Sequence, residues 1–431
     1  MAADGNFPLR DGAKQVDAEA RERAFSMPLA EINPADPYLF KNDTFWPYFE
    51  RLRKESPVHY TAEHEDGPYW SVTKYNDIME VDTNHGVFSS EPSITLFDPK
   101  EDFTLPMFIA MDPPKHDAQR KTVSPVVAPP NLAAMEPVIR ERAAAILDSL
   151  PIGEEFDWVD KVSIELTTMT LATLFDFPWE DRRKLTRWSD VATAGPESGL
   201  FDSTDPEEAE QQRRAELYEC VDYFMRLWNE RVNLPPRGDL ISMLAHGEAT
   251  RNMDRQEYLG NLILLIVGGN DTTRNTISGS ILALNQNPEQ YARLKADQSL
   301  IPSMVSETIR WQTPLAYMRR TALQDYEIGG KTIKKGEKVL MWYVSGNRDE
   351  EVIERPNDYW IERPNVRRHL SFGFGIHRCV GNRLAELQLK IIWEEILARF
   401  PRLEVTGPPR RVLSSFVKGY EALPVVIPTR N

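Results

Sequence analysis

Between Asp254 and Pro288 the chain carries no proline, and Asp254 followed three residues later by Glu257 resembles the side-chain box that opens a helix. One helix of roughly thirty residues is implied, about 45 to 50 Å long at 1.5 Å rise per residue. From Glu136 to Trp228 helical patterns dominate as well. They are broken by Pro151-Ile152-Gly153, by Phe177-Pro178 and by a polar stretch from Gly195 to Glu207 that reads as a mobile loop. Asp43 reads as the N-cap of a short helix with apolar positions at Phe45, Trp46, Phe49 and Leu52, closed by Pro57. Val58 to Val72 fits a hairpin around Asp66-Gly67, and the alternation from Asp325 to Asn347 fits short strands turning at Gly329-Gly330 and Lys335-Gly336. A final helix is expected from about Arg383 to Pro401, with Leu384, Leu387, Ile391 and Ile392 on one face. The expected fold is mainly α with small β-sheets. It forms a single domain over residues 1–431, in which residues 1 to about 40 are an N-terminal extension.

Composition narrows the function. Apolar residues make up 41% and charged residues 27% of the 431, as in a globular protein. A formal charge of -15 argues against a nucleic-acid partner, because phosphate binding draws on lysine and arginine. Residues 1–30 carry charges throughout and lack the apolar core of a signal peptide. Apolar runs such as Leu262 to Val267 fall far short of the ~20 residues that span a bilayer, so no membrane anchor is expected. Two cysteines, Cys220 and Cys379, exclude a disulfide framework or a four-cysteine zinc site and suit a reducing cytoplasm.

The segment from Phe372 to Gly381 is rich in glycine and aromatic residues and places Cys379 at the start of the final helix. Backbone N–H groups at a helix start favour a thiolate and can donate to a ligated sulfur. The glycines permit close backbone approach. An isolated cysteine is usually a small buried hydrophobe. Here the pattern Phe-Gly-x-Gly-x-His-x-Cys-x-Gly is matched at every specified position, and the segment resembles the haem-binding loop of the cytochrome P-450 superfamily. That resemblance implies haem b between the long central helix and the cysteine loop with the final helix. It makes Cys379 the axial iron ligand, His377 a propionate contact, and Phe372, Gly373 and Gly381 part of the haem-binding loop. In that family the thiolate favours O–O cleavage.

Other stretches extend the resemblance. Gly268-Gly269-Asn270-Asp271-Thr272-Thr273 is a poor helix-forming run inside the long helix, so a kink or widened turn is expected there; a glycine pair for tight helix packing is the plain alternative. Beside the cysteine loop it looks like the family's acid-alcohol pair, with Thr272 holding dioxygen and Asp271 relaying protons. Glu307 and Arg310, three apart, would ordinarily be a solvated pair. The family's E-x-x-R implies instead a buried support completed by Arg363. His116 and Arg120 follow Asp112-Pro113-Pro114 and, with Arg320, resemble haem propionate contacts, although neighbouring Arg319 competes for that role.

GGNDTTRNTISG, IRWQTPLAYMRRTA, MWYVSGNRDEE and the cysteine segment resemble the bacterial alkane and fatty-acid terminal hydroxylases. The expected function is O2-dependent hydroxylation of the terminal carbon of medium-chain alkanes, fatty acids or similar linear molecules. Electrons would come from NAD(P)H through ferredoxin reductase and ferredoxin. Hydroxylation of a terpenoid or steroid side chain is the alternative within the class, and a non-catalytic haem sensor the alternative outside it. By the same resemblance the pocket walls come from Val267 and Gly268, from Leu315 and Ala316, and from Phe416. Plain core packing of Leu315 is the competing reading.

Overall fold

The computed structural model describes residues 9–431, with side chains from residue 18 onward. Its axis is the long helix Arg255–Gln286, opened by the Asp254 carboxylate, which accepts the Glu257 amide N–H. That bond satisfies one of the donors a helix start leaves without a partner. Leu259, Leu262, Ile263, Ile266, Ile277, Ile281 and Leu284 are all buried, so the helix is enclosed by others and not laid on a surface. The helices Arg183–Thr193, Glu165–Phe175, Ile301–Gln312 and Asn382–Arg399 pack against it.

No widened turn interrupts the long helix, which stays α-helical through Gly268–Thr273. The two glycines serve other ends. A side chain at Gly269 would lie 2.9 Å from Leu171 Cδ1, so this glycine admits the neighbouring helix, whereas a Cβ at Gly268 would meet nothing within 4 Å. The Thr272 hydroxyl donates to the Gly268 carbonyl at 2.9 Å without interrupting the helix. A widened, π-helical turn does exist, but in the facing segment Val159–Ile164, which runs straight into Glu165–Phe175.

Five short strands form the larger sheet in the order Val58–Thr61, Tyr69–Val72, Lys338–Met341, Met318–Ala322, Phe88–Ser89. The first two make the expected hairpin, with Gly67 at φ +84 in its connection. Tyr69–Val72 then pairs in parallel with Lys338–Met341, and the remaining neighbours are antiparallel. The expected turn at Gly329-Gly330 joins Tyr326–Ile328 to Lys331–Ile333. The final helix spans Asn382–Arg399.

Asp43 is not an N-cap. The helix is Trp46–Glu55, and Asp43 adopts φ +56, where its carboxylate accepts from Trp46 Nε1 at 3.2 Å and pairs with Arg411 at 2.6 Å. Those side-chain donors, one of them from near the C-terminus, outcompete the local cap. Ahead of that helix, Ala24 and Ile32 are fully buried and Arg51 donates to the Ala24 and Met27 carbonyls, both at 2.7 Å.

Candidate active site

The cysteine loop is shaped by what presses on it. Gly373 and Gly375 have φ of +63 and +66, conformations that other residues rarely adopt, and a Cβ at Gly375 would sit 2.7 Å from the Asp82 carbonyl oxygen. The loop closes where the Cys379 N–H donates to the Phe372 carbonyl at 2.8 Å. Asp82, on the helix Tyr75–Thr83, is buried and accepts from Phe374 N (2.8 Å), Arg320 Nη2 (2.8 Å) and Tyr343 Oη (2.9 Å). One carboxylate thus fixes the loop and a strand arginine together. Phe372 packs partly buried, 5.2 Å from the His369 ring.

Cys379 is accessible although it lies deep in the molecule, so its sulfur faces an internal space. The expected thiolate preference is not met by the unligated thiol. Burial raises its pKa and outweighs the Gly381 and Asn382 backbone N–H bonds and the Arg120 and Arg378 charges, all of which act the other way. A metal ion reverses that balance, because a coordinating thiol is deprotonated outright.

Around the loop lies a cluster of polar side chains, three of whose ring nitrogens have no protein partner. The His116 and His377 rings are 4.2 Å apart and buried, and His116 Nε2 and both nitrogens of His377 have no hydrogen-bond partner. His377 is pushed down to about 2 by burial first, then by Arg320, His116, Arg120 and His85. Arg120 donates to the Arg378 carbonyl, while Arg320 is held by Asp82 and the Arg319 carbonyl. Arg319 bonds elsewhere, to Asp98 at 2.7 Å and to the Leu96 carbonyl, because successive strand residues point to opposite faces. Buried polar atoms left unpaired cost free energy, so these ring nitrogens beside two guanidinium groups fit the carboxylates of a haem, and the sulfur beside them fits the iron.

Glu307, Arg310 and Arg363 meet as expected, all buried. Arg310 forks onto Glu307 at 2.7 and 2.8 Å, Arg363 Nε reaches Glu307 at 2.9 Å, and the remaining guanidinium protons go to the carbonyls of Asn347, Pro356, Asp358 and Arg355. Such saturation is what makes a buried ion triad tolerable.

Asp271 and Thr272 diverge. Asp271 is fully buried and turned toward the helix Arg183–Thr193, accepting from Ser189 Oγ at 2.9 Å and lying 3.1 Å from Arg274, which reaches on to Asp190 at 2.6 Å. Burial raises the Asp271 carboxyl against the pull of Arg274. Thr272 is half-buried, above the open side of Gly268.

Leu315, Ala316 and Phe416 come together: Ala316 N–H donates to the Phe416 carbonyl at 2.9 Å, and Leu315 bridges Val417. Beyond Phe416 the chain is fastened to the long helix, where Asn275, one turn past Thr272, accepts the Tyr420 N–H at 3.0 Å. Val267 and Gly268 lie on that same helix. Asp82, His85, Asp190 and Arg274 went unnoticed in the sequence. Arg274 sits three residues from Asp271, the spacing of a helical pair, and was the detectable one.

The sequence profile of the cytochrome P450 family matches residues 208–418. Linalool 8-monooxygenase of Pseudomonas putida is 35% identical over 91% of this chain and 98% of its own. The methyl-branched lipid omega-hydroxylase of Mycobacterium tuberculosis is 31% identical over 93% of this chain and 95% of its own. The solved structure of cytochrome P450-153 from Novosphingobium aromaticivorans superposes with a TM-score of 0.84 at 49% identity, covering 91% of this chain and 98% of that one.

Proposed function

The chain belongs to the cytochrome P450 family of haem b monooxygenases, and we propose that it hydroxylates the terminal carbon of medium-chain alkanes, fatty acids or similar linear molecules, with electrons from NAD(P)H by way of ferredoxin reductase and ferredoxin. Held through a thiolate, a haem would supply the chemistry that places one oxygen atom of O2 in a C–H bond and releases the other as water, at the expense of two electrons and two protons. Cys379 is the ligand, with the Gly381 and Asn382 N–H groups moderating the charge on its sulfur. His116, Arg120, Arg320 and His377 hold the haem carboxylates, while Phe372, Gly373 and Gly381 shape the loop. Glu307, Arg310 and Arg363 brace the structure behind it. Thr272 orients dioxygen. Asp271, raised by burial, holds a proton nearer to neutral pH than a surface aspartate does, and Arg274 and Asp190 lead from it toward solvent.

A terminal C–H bond is stronger than its secondary neighbours, so selectivity for the chain end is a matter of positioning. The observation that carries this reading is the loop bearing Phe416. It is fixed to Ala316 on one side and, through Asn275, to the helix of Val267, Gly268 and Thr272 on the other, so walls from three segments are held in one frame. The relative named as an omega-hydroxylase supports the same reading. Reconstituted with ferredoxin and its reductase, the protein is expected to convert octane to 1-octanol and dodecanoic acid to its ω-hydroxy acid, with NADH consumed in step. Mainly subterminal alcohols would refute terminal selectivity, and NADH-independent binding without product would favour the sensor. Because of the likeness to linalool 8-monooxygenase, linalool belongs in the same assay; faster turnover of it would favour the terpenoid reading.

A further inference from the structure

Two residues beyond Phe416, Lys418 is 6% exposed, with its Nζ donating to the Gln312 carbonyl at 2.6 Å and lying 5.5 Å from the Trp46 ring. Two arginines share this interior. Arg348, also 6% exposed, is stacked between Trp46 and Trp311 at 4.1 and 3.8 Å, and Arg411 pairs with Asp43 at 2.6 Å while lying over the Tyr420 ring. Asp43 therefore faces Arg348, Arg411 and Lys418 together. Arginine keeps its proton under all ordinary conditions, so the lysine is the member able to relieve the excess of positive charge. Burial, with Arg411 and Arg348 adding to it against the pull of Asp43, brings its ammonium down to about 7.

The same residue joins the pocket walls. Its N–H donates to the Pro314 carbonyl at 2.9 Å, its carbonyl accepts from Gln312 Nε2 at 2.9 Å, and its side chain reaches back to the Gln312 carbonyl. Gln312 ends a helix and is followed by Thr313 at φ +40, Pro314 and then Leu315. We propose that Lys418 is a specificity-determining positioning residue: it sets how the Phe416 loop sits against Leu315 and Ala316, and gaining a proton loosens that join. The proposal rests on the reading of these residues as pocket walls. Neutral or protonated, the Lys418 amine can donate to Gln312; as an ammonium it carries a charge that burial disfavours first, with repulsion from Arg411 and Arg348 set against the attraction of Asp43.

The test is the ratio of 1-octanol to 2-octanol from octane between pH 6 and 8.5, for the wild type, Lys418→Met, Asp43→Asn and Leu315→Ala, each with full haem content. Both alcohols come from one enzyme, so electron delivery and proton supply are common to them and cancel in the ratio. The wild-type ratio is expected to fall about threefold as the pH drops through 7, a small change between competing transition states. Lys418→Met is expected to show no such fall, and Asp43→Asn to move it to lower pH. Octane affinity, read from the low- to high-spin change without turnover, is expected to follow the same pattern. A flat wild-type profile, or an unchanged slope in Lys418→Met, overturns the proposal while a shifted ratio in Leu315→Ala leaves the wall reading standing. An unshifted ratio in Leu315→Ala removes the wall reading, and this proposal with it.

Discussion

At Cys379 two effects oppose one another: desolvation favours the thiol, and the helix-start N–H groups with Arg120 and Arg378 favour the thiolate. Only metal coordination decides for the thiolate, so the ligand role is read in the reduced, carbon monoxide-bound spectrum. The wild type is expected to show the red-shifted Soret band of thiolate ligation and Cys379→Ala to lose it; a retained band would rule the residue out. The half-buried Thr272 hydroxyl donates to the Gly268 carbonyl of its own helix. Thr272→Ala is therefore expected to keep substrate binding but to divert about tenfold more of its NADH into peroxide, the scale of losing one proton-organising group. Full coupling in that variant would remove the role. Asp271, on the adjacent helical position but turned toward Ser189, is expected to slow turnover as Asp271→Asn without that leak, which product and peroxide yields together distinguish.

Among the elements, those with local causes were legible in the sequence. Asp254, Glu257 and Pro288 mark the long helix within its own residues, and the cysteine loop carries its glycines, histidine and ligand in one stretch. The Glu307–Arg310 pair was visible by spacing, but its burial and Arg363 came through family resemblance alone. What stayed hidden depends on partners far along the chain. Asp82 is recognised only by Arg320, Tyr343 and Phe374, and Lys418 only by Gln312, Trp46 and two arginines. The same remoteness misled the reading of Asp43, whose capping geometry was lost to Arg411, and that of Gly269, whose purpose is the neighbouring Leu171. The brace under the helix Ile301–Gln312 can be measured directly. Glu307→Gln leaves two buried guanidinium groups without their carboxylate and is expected to cost about 3 to 5 kcal/mol in denaturant unfolding. A loss below ~1 kcal/mol, typical of an exposed pair, would contradict the buried triad.

Across the whole molecule the net charge of -15 contrasts with the face that carries the cysteine loop. There Arg367, Arg368 and Arg378 line a cleft of about 400 Å³ with Tyr75 and Phe374, and Lys121 is exposed on the helix that presents His116 and Arg120. Docking of an acidic electron carrier on this face is expected to weaken with salt, so its apparent KM should rise several-fold between about 50 and 300 mM ionic strength, as the Debye length falls below ~10 Å. A KM indifferent to salt would place the contact elsewhere. Stability should also carry the mark of Lys418. Its folded pKa of about 7 lies below the ordinary lysine value of 10.5, so between the two the unfolded chain binds the extra proton and folding grows more favourable as pH rises. Wild-type Tm is expected to lose ground to that of Lys418→Met as the pH falls from 9 to 7; parallel curves would exclude the shift. The parallel pairing of Tyr69–Val72 with Lys338–Met341 also dictates an order of events on the ribosome. The early hairpin must wait for roughly 270 further residues, some 13 to 55 seconds at ordinary rates of synthesis, before its sheet neighbour exists. During that interval the edge of Tyr69–Val72 lacks the neighbour it has in the finished sheet, and because Cys379 emerges later still, haem held through its sulfur can be captured only after that strand has been made.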